Sequence, residues 1–318
     1  MDEPLRQSTI YSVLRCSYQH HLRTTDPTSQ AFRHPAAVFG TTIHSLIARM
    51  HAGEWNMDLE PAFLEAFERE VSTDSHQPQE RIEDLNGHWA TARQNDSPTL
   101  PIWWKDELAE RETYRADGVA ILEGYRNKDY NRNAKILLAE ASFAVKVGRQ
   151  TFNGTLDQLR QHPDGSLELV DFKTSKAAPP QAYVDLDYQL GLYAYALKHG
   201  TFLVKGQLIR PNVMPDKQTL YFLRHHIPYK RATGGKLAGE ERGDPRISTT
   251  RSAEQLRALK QDVSAVARMI KLGLHPRSPD PMKCGCCAYA DACRGATRDA
   301  ALPTGKLDDL LIQLENIA

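Results

Sequence analysis

Between residues 135 and 228 apolar and polar positions alternate in short runs, the two-residue period of half-buried strands. ILLAEASFAVKV and RQTFNGTLDQL are parted by a short turn, and HPDG supplies a second turn before SLELVDFKT. These runs predict a three-stranded meander feeding a helix over 186–199. GTFLVKGQLIRP and KQTLYFLRHHIP read as two further strands joined by a turn around 212–216. The flanks follow a helical period instead. Ile10, Val13, Leu14 and Tyr18 mark one side of a helix over 8–23, capped by Ser8 or Thr9. Ile43, Leu46, Ile47 and Met50 mark a second, whose entry falls at Gly40 with Thr41 or Thr42. Leu59, Phe63, Ala66 and Phe67 mark a third, and DELAERETYRADGVAILEGYRNK a longer fourth. Leu256, Leu259, Val263, Val266 and Ile270 repeat at three and four with Ser252 as cap, which predicts a helix over 252–272.

The pattern predicts an α/β fold, a central mixed β-sheet flanked by helices. It divides into a helical N-terminal part (1–134), a core (135–228), a basic loop (229–250), a helix and cysteine segment (251–296) and a tail helix (297–318). Together these form one compact domain. The loop has no apolar periodicity and carries Lys230, Arg231, Lys236, Arg242 and Arg246. It reads first as a solvated segment and second as a surface tracking a nucleic-acid strand. Trp89, Trp103 and Trp104 pack the helices, or stack on bases beside Arg93 or Lys105. In the tail, Leu307, Leu310, Leu311 and Leu314 share one helical side.

Composition narrows the function. Lys+Arg and Asp+Glu both number 40, so no whole-chain basic footprint exists and any DNA contact is local. No run of signal-peptide or membrane-span length occurs, which points to a cytoplasmic protein without membrane contact. The Gly-Lys pairs at 235–236 and 305–306 are followed by Leu, so no phosphate loop of a motor enzyme is present.

Two aspartates and a lysine carry the candidate chemistry. Asp171 and Lys173 are two apart on a strand and face one side, while Phe172 turns to the core with its carbonyl still open to a metal. Asp157 comes from the preceding strand. Two carboxylates can hold Mg²⁺ or Mn²⁺, and the ammonium can meet a water or a phosphate oxygen. An isolated D-x-K is more often a surface ion pair. Here it sits between GTLDQL and YQLGLYAYAL, in which Gln189 and Tyr193 lie four apart on one helix face. His44, taken alone, reads as a structural histidine.

GTLDQL, LVDFKTSK, YQLGLYAYAL and the upstream FGTTIHSLI resemble the RecB-type branch of the PD-(D/E)XK nuclease superfamily, over residues 8 to 295. The resemblance implies a restriction-endonuclease-like core. It implies that His44, Asp157, Asp171 and the Phe172 carbonyl bind the metal. It gives Lys173 the attacking water, to position or deprotonate, and puts Gln189 and Tyr193 at the site wall. An imidazole among the ligands favours Mn²⁺ over Mg²⁺.

Cys284, Cys287 and Cys293 give C-x2-C-x5-C, with Cys16 distant and Cys286 extra. Spacing alone allows zinc or an iron–sulfur cluster. The arrangement resembles the clasp of the Cas4 and AddB nucleases, which implies a structural [4Fe–4S] cluster on Cys16, Cys284, Cys287 and Cys293. The expected function is a metal-dependent DNA exonuclease on single strands or ends. Its setting is repair, recombination or CRISPR adaptation, with a helicase or other proteins of those pathways as partners. The alternatives are a non-catalytic DNA-binding adaptor that keeps the fold, and an iron–sulfur redox sensor.

Overall fold

The computed structural model describes residues 4–26, 32–72, 102, 104–230, 236–285 and 287–295, with backbone alone at 81–82, 89–90 and 282. Cys286, Arg93, Trp103, Arg231, the tail leucines and the Trp89 side chain lie outside the described residues. By internal contacts the chain divides into two compact units, one of Met1–Tyr11 with Phe32–Gly273, the other of Ser12–Ala31 with Leu274–Ala318. No apolar period in the sequence marks that division.

The first unit is built on an eight-stranded mixed sheet. Its strands are β1 (Leu5–Arg6), β2 (Lys135–Val147), β3 (Gln150–Gln161), β4 (Leu167–Lys173), β5 (Thr201–Val204), β6 (Gln207–Ile209), β7 (Lys217–Phe222) and β8 (Arg246–Thr249). They lie in the order β8-β7-β4-β3-β2-β5-β6, and β1 joins β3 in parallel. The expected meander is β2-β3-β4. Gly148, at φ +63°, makes the tight turn between the first two. β4 and β7 are parallel, and the long connection that parallel pairing demands carries a helix and a hairpin.

Two strand expectations are corrected. The run after Gly200 is a hairpin, β5 and β6, because Lys205 and Gly206 both take positive φ (50° and 77°), the geometry of a two-residue turn. Part of the expected loop is a strand. β8 pairs with β7 through Ile247↔Leu220 and covers that edge of the sheet.

Among the described residues the helices longer than five residues are α1 (Gln7–Thr25), α2 (Pro35–Arg49), α3 (Leu59–Ser72), α4 (Glu107–Arg126), α5 (Tyr188–His199) and α6 (Ala253–Lys271). α1 starts one residue before its expected cap, with the Ser8 amide donating to the Gln7 side chain. α2 begins five residues before Gly40, where Pro35 occupies the first turn and its missing N–H costs nothing. Gly40 serves packing instead. A Cβ there would lie 3.3 Å from Thr174 Oγ1. α6 has the expected cap, a reciprocal box between Ser252 and Gln255.

The apolar faces of α2, α3 and α4 close on one another and on the sheet. Phe39, Ile43, Leu46, Phe63, Phe67, Ile121 and Tyr125 share a core with Val170, Phe172 and Tyr221. Trp104 packs against this core, with Arg111 over its ring at 5.4 Å. Among the described residues no helix is long and apolar enough to cross a membrane.

In the second unit α1 is interrupted at Cys16, which takes extended backbone (φ −164°, ψ 105°). The helix remainder meets the later segment through Tyr18 N–H on the Pro276 carbonyl (3.2 Å) and stacked His21 and His275 rings.

Candidate active site

β3 and β4 pair as far as Gln158↔Val170, and the next step along each strand brings Asp157 and Asp171. The Phe172 N–H donates to Asp157 Oδ2 at 2.7 Å, so a side chain, not a strand carbonyl, accepts it. Phe172 packs into the core, and its alternation puts Asp171 and Lys173 together on the other side. Lys173 Nζ stands 2.6 Å from Asp171 Oδ2 and donates to Gln189 Oε1 at 2.9 Å. The first contact is off the hydrogen-bond direction, so Asp171 Oδ2 is buried with a lone pair unused.

α2 delivers His44 one turn after the close approach at Gly40. Its Nδ1 lies 3.5 Å from Asp157 Oδ2 and 3.9 Å from Glu140 Oε1. The Phe172 ring meets the imidazole edge-on at 5.9 Å. One ligand atom each from His44, Glu140 and Asp157 all fall within 4.8 Å of one another. Asp171 stands outside this trio, turned to Lys173, but lines the same cavity.

The sequence reading missed Glu140. Its signal was a charge inside the apolar run ILLAEASFAV. Its backbone is left-handed, φ +45°, in the middle of a strand. A non-glycine residue there costs on the order of 1 kcal/mol, and such strain gathers at functional sites.

α5 contributes the other wall. Asp187 caps it, accepting from Leu190 N–H (2.8 Å), and Tyr11 OH donates to the same carboxylate at 2.5 Å. Gln189 Nε2 donates to Tyr193 OH at 2.8 Å, and Gln7 Nε2 donates to that oxygen at 3.1 Å. Gln7 was a second omission, because its position at the head of α1 gave no pattern. His44, Asp157, Asp171, Phe172, Lys173, Gln189, Tyr193 and Gln7 line one cavity of about 280 Å³.

The electrostatics follow from crowding carboxylates out of water. Burial and then Asp157 push the Glu140 carboxyl up to about 7. Burial lifts Asp171 to about 7 against the pull of Lys173, with Asp157 adding to the rise. Burial would lower His44, but Asp157, Glu140 and Asp171 outweigh it and raise the imidazole to about 9. Burial likewise opposes the Lys173 charge, and Asp171 reverses the effect, so its pKa moves up. Burial and then the two aspartates raise Tyr193 well above its ordinary value. Two hard carboxylates and an imidazole suit a divalent cation of the Mg²⁺ or Mn²⁺ kind.

The described basic residues of 229–250 are engaged at home. Lys230 pairs with Asp117, Lys236 with Glu240 and Arg246 with Asp244, while Arg242 lies over the Tyr229 ring. In the second unit, Cys16, Cys284, Cys287 and Cys293 line one cavity of about 120 Å³ beside Leu22 and Tyr289. All four are free thiols. Among the described residues no three of their sulfurs lie within 4.8 Å of one another. A closed zinc site, with Zn–S of about 2.3 Å, brings its sulfurs to roughly 3.8 Å.

A model of the PD-(D/E)XK nuclease superfamily matches residues 5–294. No curated protein matches the chain. Among solved structures, the crystal structure of SSO0001 is similar at 12% identity and a TM-score of 0.31, over 60% of this chain and 74% of that one. That likeness is too slight to bear on function.

Proposed function

The chain belongs to the PD-(D/E)XK nuclease superfamily, and on that premise we propose that it is a metal-dependent DNA exonuclease acting on single strands or strand ends. The observation that carries the reading is the convergence of His44, Glu140 and Asp157 within 4.8 Å, beside the Lys173–Asp171 pair. His44, Asp157 and Glu140 would hold Mn²⁺ or Mg²⁺, with Asp171 and the Phe172 carbonyl completing the set. A divalent cation there supplies a Lewis acid for the phosphoryl oxygen and acidifies water. Lys173 pairs with Asp171 at 2.6 Å, beside the metal ligands. It directs the attacking water and offsets charge on the phosphate. Gln189 Oε1 accepts from the same ammonium at 2.9 Å.

The order of the motifs supports a RecB-type, Cas4/AddB-like member. The four cysteines around one cavity support a structural [4Fe–4S] cluster. The break in α1 at Cys16 fits a residue turned toward a ligand, since it gives up helical bonds. A cytoplasmic setting, with a helicase or a recombination or CRISPR partner on another chain, belongs to the same reading.

The test is anaerobic purification followed by digestion of end-labelled single- and double-stranded DNA with Mn²⁺ or Mg²⁺. Asp171→Ala should abolish cleavage while the fold and visible absorption stay unchanged. Undiminished cleavage by that variant, free of contaminants, would overturn the assignment.

A further inference from the structure

The hydrogen-bond directions around Tyr193 leave its own proton one place to go. Its oxygen receives N–H groups from two amides, Gln189 and Gln7. Neither amide can be turned over. Gln189 Oε1 is taken by the Lys173 ammonium, and Gln7 Oε1 by the Ser8 amide N–H, both of them pure donors. Two donors therefore occupy the lone pairs of the Tyr193 oxygen. The hydroxyl hydrogen has to point away from both, and Tyr193 lines the cavity that holds Asp171 and Lys173. The ring cannot swing clear. It is buried and held edge-on by Phe143 at 5.7 Å.

We propose that Tyr193 is a catalytic hydrogen-bond donor to a non-bridging oxygen of the scissile phosphate, and that Gln7 is the positioning residue that aims its proton. The inference rests on the nuclease reading and extends it to a residue role. Ordinary phosphodiesters present two such oxygens. His44 and Asp157 line the cavity from α2 and β3, and Tyr193 lines it from α5. Gln7 works by being a donor. An acceptor in its place would capture the Tyr193 proton and turn it from the substrate.

Tyr193→Phe removes only the hydroxyl and should lower kcat by about 10²-fold, the usual loss for one transition-state donor. KM should change little, and the melting temperature should fall by a few degrees because the Gln7 and Gln189 amides lose their acceptor. Gln7→Glu introduces an acceptor and should fall to a similar rate, and adding it to Tyr193→Phe should cost nothing further. Substrates bearing one methylphosphonate, in each stereoisomer, give the second arm. One isomer should lose the same factor with the native enzyme and none with Tyr193→Phe. A native rate in Tyr193→Phe, or losses that multiply in both arms, overturns the donor role while the nuclease stands. Native protein that neither cuts nor binds DNA with any divalent ion overturns both.

Discussion

Gly154→Ala should damage stability and turnover together, because the glycine is a space that an aromatic ring occupies. Gly154 lies across the β2–β3 ladder from Phe143. A Cβ there would meet the Phe143 ring at 2.7 and 2.8 Å and Gln7 Cγ at 3.1 Å. Phe143 has no retreat, since it is buried between Tyr193 (5.7 Å) and Phe202 (5.4 Å). Overpacking of this kind costs about 1–3 kcal/mol. In a unit of this size that lowers the melting temperature by roughly 2–10 °C. The displaced ring pushes on Tyr193, and the methyl pushes on Gln7, so kcat should fall about tenfold or more with the metal ligands untouched. Thermal denaturation followed by circular dichroism, with end-labelled cleavage, reads both effects. Phe143→Leu added to Gly154→Ala should restore part of each loss, because the clash is pairwise. Gly40→Ala is the contrast. Its Cβ meets one hydroxyl at 3.3 Å, a tight contact that offsets the gain of about 1 kcal/mol for alanine inside a helix, so the net change should be far smaller than for Gly154→Ala. A Gly154→Ala protein that melts and cuts like the native one would refute the packing account.

Glu140→Gln keeps the shape but removes a charge from the trio. Metal-free stability at pH 8 should rise as repulsion from Asp157 and Asp171 is relieved, while Mn²⁺ affinity by titration calorimetry falls about tenfold or more. Unchanged affinity would remove Glu140 from the ligand set. The pH dependence has two parts with signs fixed by the shifts. His44, raised to about 9, adds stability in full below its ordinary value near 6.5 and loses it as pH climbs through 9. Glu140 and Asp171, raised to about 7, keep protons that the unfolded chain gives up above about 4, so they lose stability as pH rises from about 4 to 7. A divalent ion displaces these protons, so its stabilisation of the fold should be larger at pH 8 than at pH 6. Equal shifts in melting temperature at the two pH values would contradict this. Anaerobically purified protein should carry visible iron–sulfur absorption that Cys287→Ser weakens, and a colourless protein with one bound zinc would end the cluster reading.

What the sequence made legible follows from what periodicity can encode. Alternation located β2, β3, β4 and β7, and it put Asp171 and Lys173 on one side because a strand leaves no other choice. The cap at Ser252 was readable because it is local. Reversals of a single pair were not. Lys205–Gly206 turns a run of strand-like residues into a hairpin through two positive φ angles that apolar spacing does not register. Gly40 was misread as a helix entry because glycine serves both chain ends and close contacts, and only the approach of Thr174 separates the two uses. Glu140 and Gln7 were missed for a different reason. Each becomes part of the site through a partner far away in sequence, and neither belongs to a spaced motif.

The charge inventory of the site explains why it should be a metal centre and not a self-sufficient salt-bridge cluster. Glu140, Asp157 and Asp171 bring three carboxylates, and His44 and Lys173 bring two cations. Lys173 is committed to Asp171 at 2.6 Å, leaving His44 between Asp157 and Glu140 at 3.5 and 3.9 Å. Neither His44 distance is short enough for a strong charged hydrogen bond. Burial and then Asp157 raise Glu140, and burial raises Asp171 against the pull of Lys173, so each holds a proton that a divalent ion can replace. A purely structural cluster would close its distances and lower its carboxylate pKa values. Glu168 does this elsewhere in the same sheet, with Thr219 at 2.6 Å, His162 at 2.8 Å and Lys217 at 3.2 Å holding its pKa down against burial. Two glutamates of one sheet, on strands separated by β3, have opposite shifts: Thr219, Lys217 and His162 work against the burial of Glu168, while at Glu140 Asp157 adds to the rise and His44 opposes it.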